Sequence, residues 1–171
     1  MTSIQMILAL GAMILLTILI TNVNKNSLHT EDVMYDSNFG ITATSIASSI
    51  IESATKLKFD NVTDTIALDP NKAGDLNLLT TPGVLGPEAG EDPNDPSTFN
   101  DFDDFDEYTA ADSSMPSAIF NIYCKVGYVD PATPDVVVNS RTYHKKITVK
   151  VWSESMKDTM YQSNIFSYWY F

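Results

Sequence analysis

The chain has 171 residues with 10 Lys or Arg against 22 Asp or Glu, a net charge of −12, and one cysteine. That length suits one domain with a real core plus an extra element. The absence of a dense basic patch excludes nucleic acid as a partner, and a single thiol excludes an intramolecular disulfide.

The first element is apolar. Ile4 to Val23 carries no charge, and Met6 to Ile20 is almost purely apolar. About 20 such residues in a helix cross the roughly 30 Å hydrocarbon core of a bilayer. A helix apolar on every side needs lipid or several neighbouring helices. The run lacks the preceding basic residues and the small-x-small cleavage site of a removed secretory signal.

No proline occurs before Pro70. From Leu28 an apolar stripe recurs at Tyr35, Phe39, Ala43, Ile46, Ala47, Ile50, Ala54 and Leu57. Steps of three, four and seven trace one face of a helix. Residues 1–58 therefore read as one long helix of about 85 Å, apolar in its first half and amphipathic in its second. Asn22, Asn24 and Asn26 predict a local loosening at 21–27.

Residues 59–116 carry six of the eight prolines and most of the acidity, with 14 Asp or Glu from Asp60 to Asp112 against Lys72 alone. This is loop chemistry. Within it, Asp101, Asp103, Asp104 and Asp106 have the oxygen density that suits Ca²⁺. The alternative is a solvated acidic loop with Phe102, Phe105 and Tyr108 turned inward. Asn61-Val62-Thr63 fits a glycosylation sequon.

Residues 117–171 read as strands. Ala118, Phe120, Ile122, Cys124, Val126 and Tyr128 alternate along one side of the first. Val136–Val138 forms a short second strand. In the next, Arg141 to Ser153, Tyr143, Ile147, Val149 and Val151 share a side. The cluster Arg141, Lys145, Lys146 and Lys150 is read as the solvated side of that strand. Met160 to Tyr170 closes an antiparallel meander; its aromatic end reads as packed within the subunit, with a contact between subunits as the alternative. The fold class is α+β: a long N-terminal helix packed on a C-terminal antiparallel β-meander, with residues 1–27 as the membrane-inserting helix and 28–171 as the globular domain.

This layout resembles the type IV pilin and pseudopilin plan. The opening Met1-Thr2-Ser3-Ile4-Gln5-Met6-Ile7-Leu8-Ala9-Leu10-Gly11 looks like the mature start of a pilin after removal of its leader. Asn100 to Tyr108 resembles the acidic "D-D-x-D-D-Y" stretch of some minor pilins, and Tyr143 to Trp152 resembles their central strand. The resemblance implies a non-enzymatic structural subunit that sits in inner-membrane lipid and is then assembled by the pilus machinery into an extracellular helical homo-oligomer. The assembly helix would use Met1, Ile4, Gln5, Ile7, Leu8, Leu10, Ile14, Leu15, Ile18 and Leu19. The family usually has Glu where this chain has Gln5; that carboxylate neutralises a neighbouring subunit's terminal amine. The second reading keeps the helix as a single-pass anchor for an exposed binding or adhesion domain that does not polymerise. No phosphate-cradling loop, zinc spacing or nucleophile motif points to an enzyme.

Overall fold

The computed structural model describes residues 2–72 and 74–169, with only the backbone of Asp32. Met1, placed above in the assembly helix, lies outside the described residues, as do Tyr170 and Phe171. The protein is α+β: one helix, α1 (Ser3–Thr55), precedes a C-terminal antiparallel sheet. By its internal contacts the chain forms two compact units, Met1–Phe39 and Gly40–Phe171.

The helix runs unbroken through residues 21–27, where the three asparagines predict loosening. A penalty of a few tenths of a kcal/mol per asparagine is too small to interrupt a helix that continues on both sides. Its start is capped locally. The Gln5 side-chain oxygen accepts the Thr2 backbone N–H at 3.1 Å, the half of a capping box in which the third helical residue reaches back to the cap. In the second unit Ala43, Ala47, Ile51 and Ala54 are buried, the small residues at intervals of three and four letting the helix seat closely. Ser48 Oγ and the Gln162 amide, 3.1–3.2 Å apart, tie the helix to the last strand.

The sheet holds β1 (Thr109–Asp112), β2 (Phe120–Asp130), β3 (Thr133–Val137), β4 (His144–Trp152) and β5 (Met160–Ser167). Its order is β1-β2-β4-β5, with β3 paired to the end of β2. The expected meander is thus β2-β4-β5, extended by a hairpin at β3 and an additional edge strand, β1. Strand β1 falls in the stretch read as loop; its Thr-Ala-Ala-Asp sequence has no large apolar alternation to announce it. Inner positions of β2 and β4 (Phe120, Ile122, Cys124, Val126, Ile147, Val149, Val151) are buried. Gly127 lets the Val137 side chain approach closely: a Cβ there would lie 2.7 Å from Val137 Cγ1.

Residues 59–116 are not a free loop. They contain a helical turn, α2 (Val62–Thr65), and 3₁₀ turns at Asp75–Leu78, Pro82–Val84 and Asp103–Phe105. Aspartates shape the turns by accepting the backbone N–H two residues on: Asp69 from Asn71, Asp92 from Asn94, Asp95 from Ser97 and Asp101 from Asp103, at 2.8–3.0 Å. Much of the acidity is therefore turn chemistry, with short carboxylates standing in for backbone acceptors. Phe59, Leu68, Leu79 and Tyr128 form a buried cluster on which Phe166 and Tyr168 pack, and Tyr168 Oη accepts the Leu68 N–H at 2.9 Å.

Candidate functional site

Two regions carry chemistry beyond packing. The first is the apolar helix. Ile4, Ile7, Leu8, Leu10, Ile14, Leu15, Ile18 and Leu19 are each more than half exposed, and Gln5 is exposed beside them. This stretch of α1 is long and apolar enough to cross a membrane by length and composition. Its two threonines are already satisfied: Thr17 Oγ1 donates to Met13 O at 2.8 Å and Thr21 Oγ1 to Thr17 O at 2.7 Å. Hydroxyls bonded back to the preceding turn bring no unpaired donor into hydrocarbon.

The second region is an acidic centre inside the C-terminal unit. Strand β4 places Lys145 among inward positions, fully buried. Its ammonium donates to Phe59 O at 2.7 Å, to Asp60 Oδ2 at 2.8 Å and to Asp103 Oδ1. It also lies over the Phe59 ring at 4.6 Å and the Tyr128 ring at 5.3 Å. Both aromatic faces and both carboxylates stabilise the charge. Asp60 is itself held by the Thr80 N–H at 2.9 Å and by Tyr128 Oη at 3.3 Å. Burial and the nearby Asp60 and Asp103 charges hold the Tyr128 hydroxyl well above its ordinary range, so it stays a donor.

The expectation of a solvated basic face on β4 is therefore overturned for Lys145, while Lys146 and Lys150 keep to the outer, partly exposed side. Alternation assigns Lys145 to the set of Tyr143 and Ile147, and the paired carboxylates allow a cation to occupy that position. Its neighbours are engaged too. Arg141 donates to Leu79 O at 2.6 Å, Lys146 pairs with Asp135 at 3.3 Å, and Lys150 lies 4.7 Å from the Trp152 ring centroid.

The four aspartates singled out in sequence divide. Asp101 and Asp104 meet Glu88, one carboxylate oxygen from each lying within 4.8 Å of the others. Asp103 faces Lys145 through Oδ1. Asp106 turns toward β2, accepting the Val126 N–H at 2.8 Å and pairing with Lys125 at 3.0 Å. It prolongs the β1–β2 ladder past the last backbone pair. Asp101, Asp103 and Asp104 are fully buried, so the solvated-loop reading fails, while Phe102 and Phe105 are buried as that reading expects. Glu88 was not legible in sequence: it lies 13 positions before Asp101, in a Pro- and Gly-rich stretch with no local pattern.

Burial is the first cause of the perturbed acidity here. It raises Asp101 to about 9, helped by the Asp103 and Asp104 charges. It raises Glu88 to about 7, helped by Asp104, Glu91 and Asp103. Asp104 is raised for the same reason, partly offset by N–H donation from Asp101 and Asn100. Cys124 is a buried thiol pushed up to about 12 by desolvation, an inert core side chain.

No protein-family model matches the chain, and neither a curated protein nor a solved structure shows significant similarity to it.

Proposed function

We propose that the protein is a structural subunit of a type IV pilus-like extracellular filament, held in the membrane by α1 before assembly and packed through the same helix within the polymer. The observation that supports this reading is the exposure of the apolar residues from Ile4 to Val23. Burying a Leu or Ile side chain is worth about 1.5–3 kcal/mol. Eight of them represent a driving force on the order of 10 kcal/mol toward lipid or toward identical helices. Gln5 fits the reading as a cap. Its carbonyl is spent on its own chain's Thr2, and it brings no carboxylate to neutralise a neighbouring subunit's amine. Registration between subunits then rests on apolar packing along Ile7, Leu8, Ile14, Leu15 and Ile18.

The test is expression in cells, followed by shearing and electron microscopy. Filaments in the sheared fraction that vanish when residues 4–23 are deleted support the polymer. Ile14→Asp adds about 2.5–3.5 kcal/mol against insertion at the helix centre and abolishes both membrane retention and filaments. Protein found only in membranes as a monomer overturns the polymer and leaves the anchored-domain reading.

A further inference from the structure

The acidic centre holds more carboxyl oxygens than its protein partners engage. Glu88, Asp101, Asp103 and Asp104 bring four carboxylates together, and Lys145 is already shared between Asp60 and Asp103. Four carboxylate oxygens of this centre are buried without any hydrogen-bond partner: Glu88 Oε2, Asp101 Oδ2, Asp103 Oδ2 and Asp104 Oδ1. An unpaired buried carboxylate oxygen forfeits its hydration and gains nothing in return. Three of the four belong to the residues that converge.

The arrangement is held as a ligand set is held. Asp104 Oδ2 accepts the N–H groups of Asn100 and Asp101 at 2.8 and 2.9 Å. Asp101 Oδ1 accepts the Asp103 N–H at 2.8 Å. Each aspartate thus has one oxygen fixed by backbone and the other left free. Glu91 acts as a positioning residue: its Oε2 accepts the Glu88 N–H at 2.8 Å and its Oε1 accepts the Asn100 amide at 2.5 Å. Outer partners of this kind orient the groups that touch a metal.

The geometry points to a calcium site formed by Glu88, Asp101 and Asp104. The donor set is all carboxylate oxygen, which selects a hard cation over zinc or copper. Calcium takes oxygens at 2.3–2.6 Å, so ligands across its shell stand up to about 5 Å apart. Oxygens within 4.8 Å of one another fit that shell. Magnesium dehydrates reluctantly and keeps several waters, so a buried set of protein carboxylates suits it less well than calcium. The ion would join the Glu88 segment to the 101–104 turn. Through Asp103 and Lys145 that turn is already joined to β4, so calcium would fasten the acidic stretch to the sheet. This holds whatever the apolar helix does.

The experiment uses the full chain in detergent micelles, stripped with EGTA and titrated with CaCl₂ or MgCl₂ by calorimetry and thermal melting. One calcium binds with Kd below about 1 mM, and Tm rises by about 5–10 °C at a hundredfold excess over Kd. Glu88→Gln weakens calcium binding by at least about tenfold. Without calcium, the same variant melts at or above the wild-type Tm, because an amide replaces one of the crowded carboxyl groups; loss of ordinary packing would lower it. If stripping unfolds the protein, refolding on calcium addition supports the site equally. No calcium response of the stripped chain, an E88Q variant that binds like wild type, or magnesium binding as tight as calcium overturns the assignment.

Discussion

Lys145 is buried on the inner side of β4, with its ammonium shared between Asp60 and Asp103. Lysines on a strand with a solvated side are ordinarily on that side. Yet the alternation that marks Ile147, Val149 and Val151 as inward includes position 145. Strict parity, applied without regard to charge, places Lys145 in the core, where the structure has it. Removing the cation leaves Asp60 and Asp103 buried without their counter-charge. Lys145→Ala is expected to cost about 3–5 kcal/mol, read from urea unfolding. Pairing it with Asp103→Asn recovers part of that loss, because one of the stranded charges goes with it. A double mutant no more stable than the single one would show that packing, not charge, holds this position.

At the scale of elements, the strands with large alternating side chains were legible and the short ones were not. Strands β2 and β4 bury every second residue over most of their length, so period two identifies them. Strand β1 has four small or polar residues and exists because the β2 edge offers it partners from Phe120 to Tyr123. The turns of residues 59–116 were legible as turns, from their prolines and aspartates. Their packing was not, since it depends on contacts such as Leu68 with Tyr168 across 100 positions. The β2–β3 hairpin gives a sharp check. In Gly127→Ala the new methyl meets Val137 at 2.7 Å, and overpacking of this kind costs about 1–3 kcal/mol. Urea unfolding of G127A should show that loss, and Val137→Ala in the same chain should restore most of it.

For the whole molecule, composition and packing mark different divisions. The change from uniformly apolar to amphipathic sequence near residue 27 follows what solvent the helix requires. The division at Phe39/Gly40 follows how the chain's internal contacts group. The apolar segment was legible because a property of 20 consecutive residues needs no knowledge of the fold. The acidic centre was only half legible, because its ligands come from two turns and its counter-ion from a strand.

The Lys145 ammonium also has a bearing on the order in which the chain folds. It joins Asp60 across 85 positions and Asp103 across 42, while Tyr128 meets Asp60 across 68. Closing a loop of 85 residues costs about 4 kcal/mol in chain entropy beyond a constant term. Contacts this remote in sequence are rewarded only after nearer pairings, such as β2 with β4, which sets Tyr128 beside Lys145, have shortened the effective loop. The ammonium is then desolvated late, as a lock on an arrangement already built. Stopped-flow kinetics should find Lys145→Ala folding at nearly the wild-type rate. It should unfold on the order of a hundredfold faster for a 3 kcal/mol loss, so this buried charge governs the lifetime of the native state far more than the speed of reaching it.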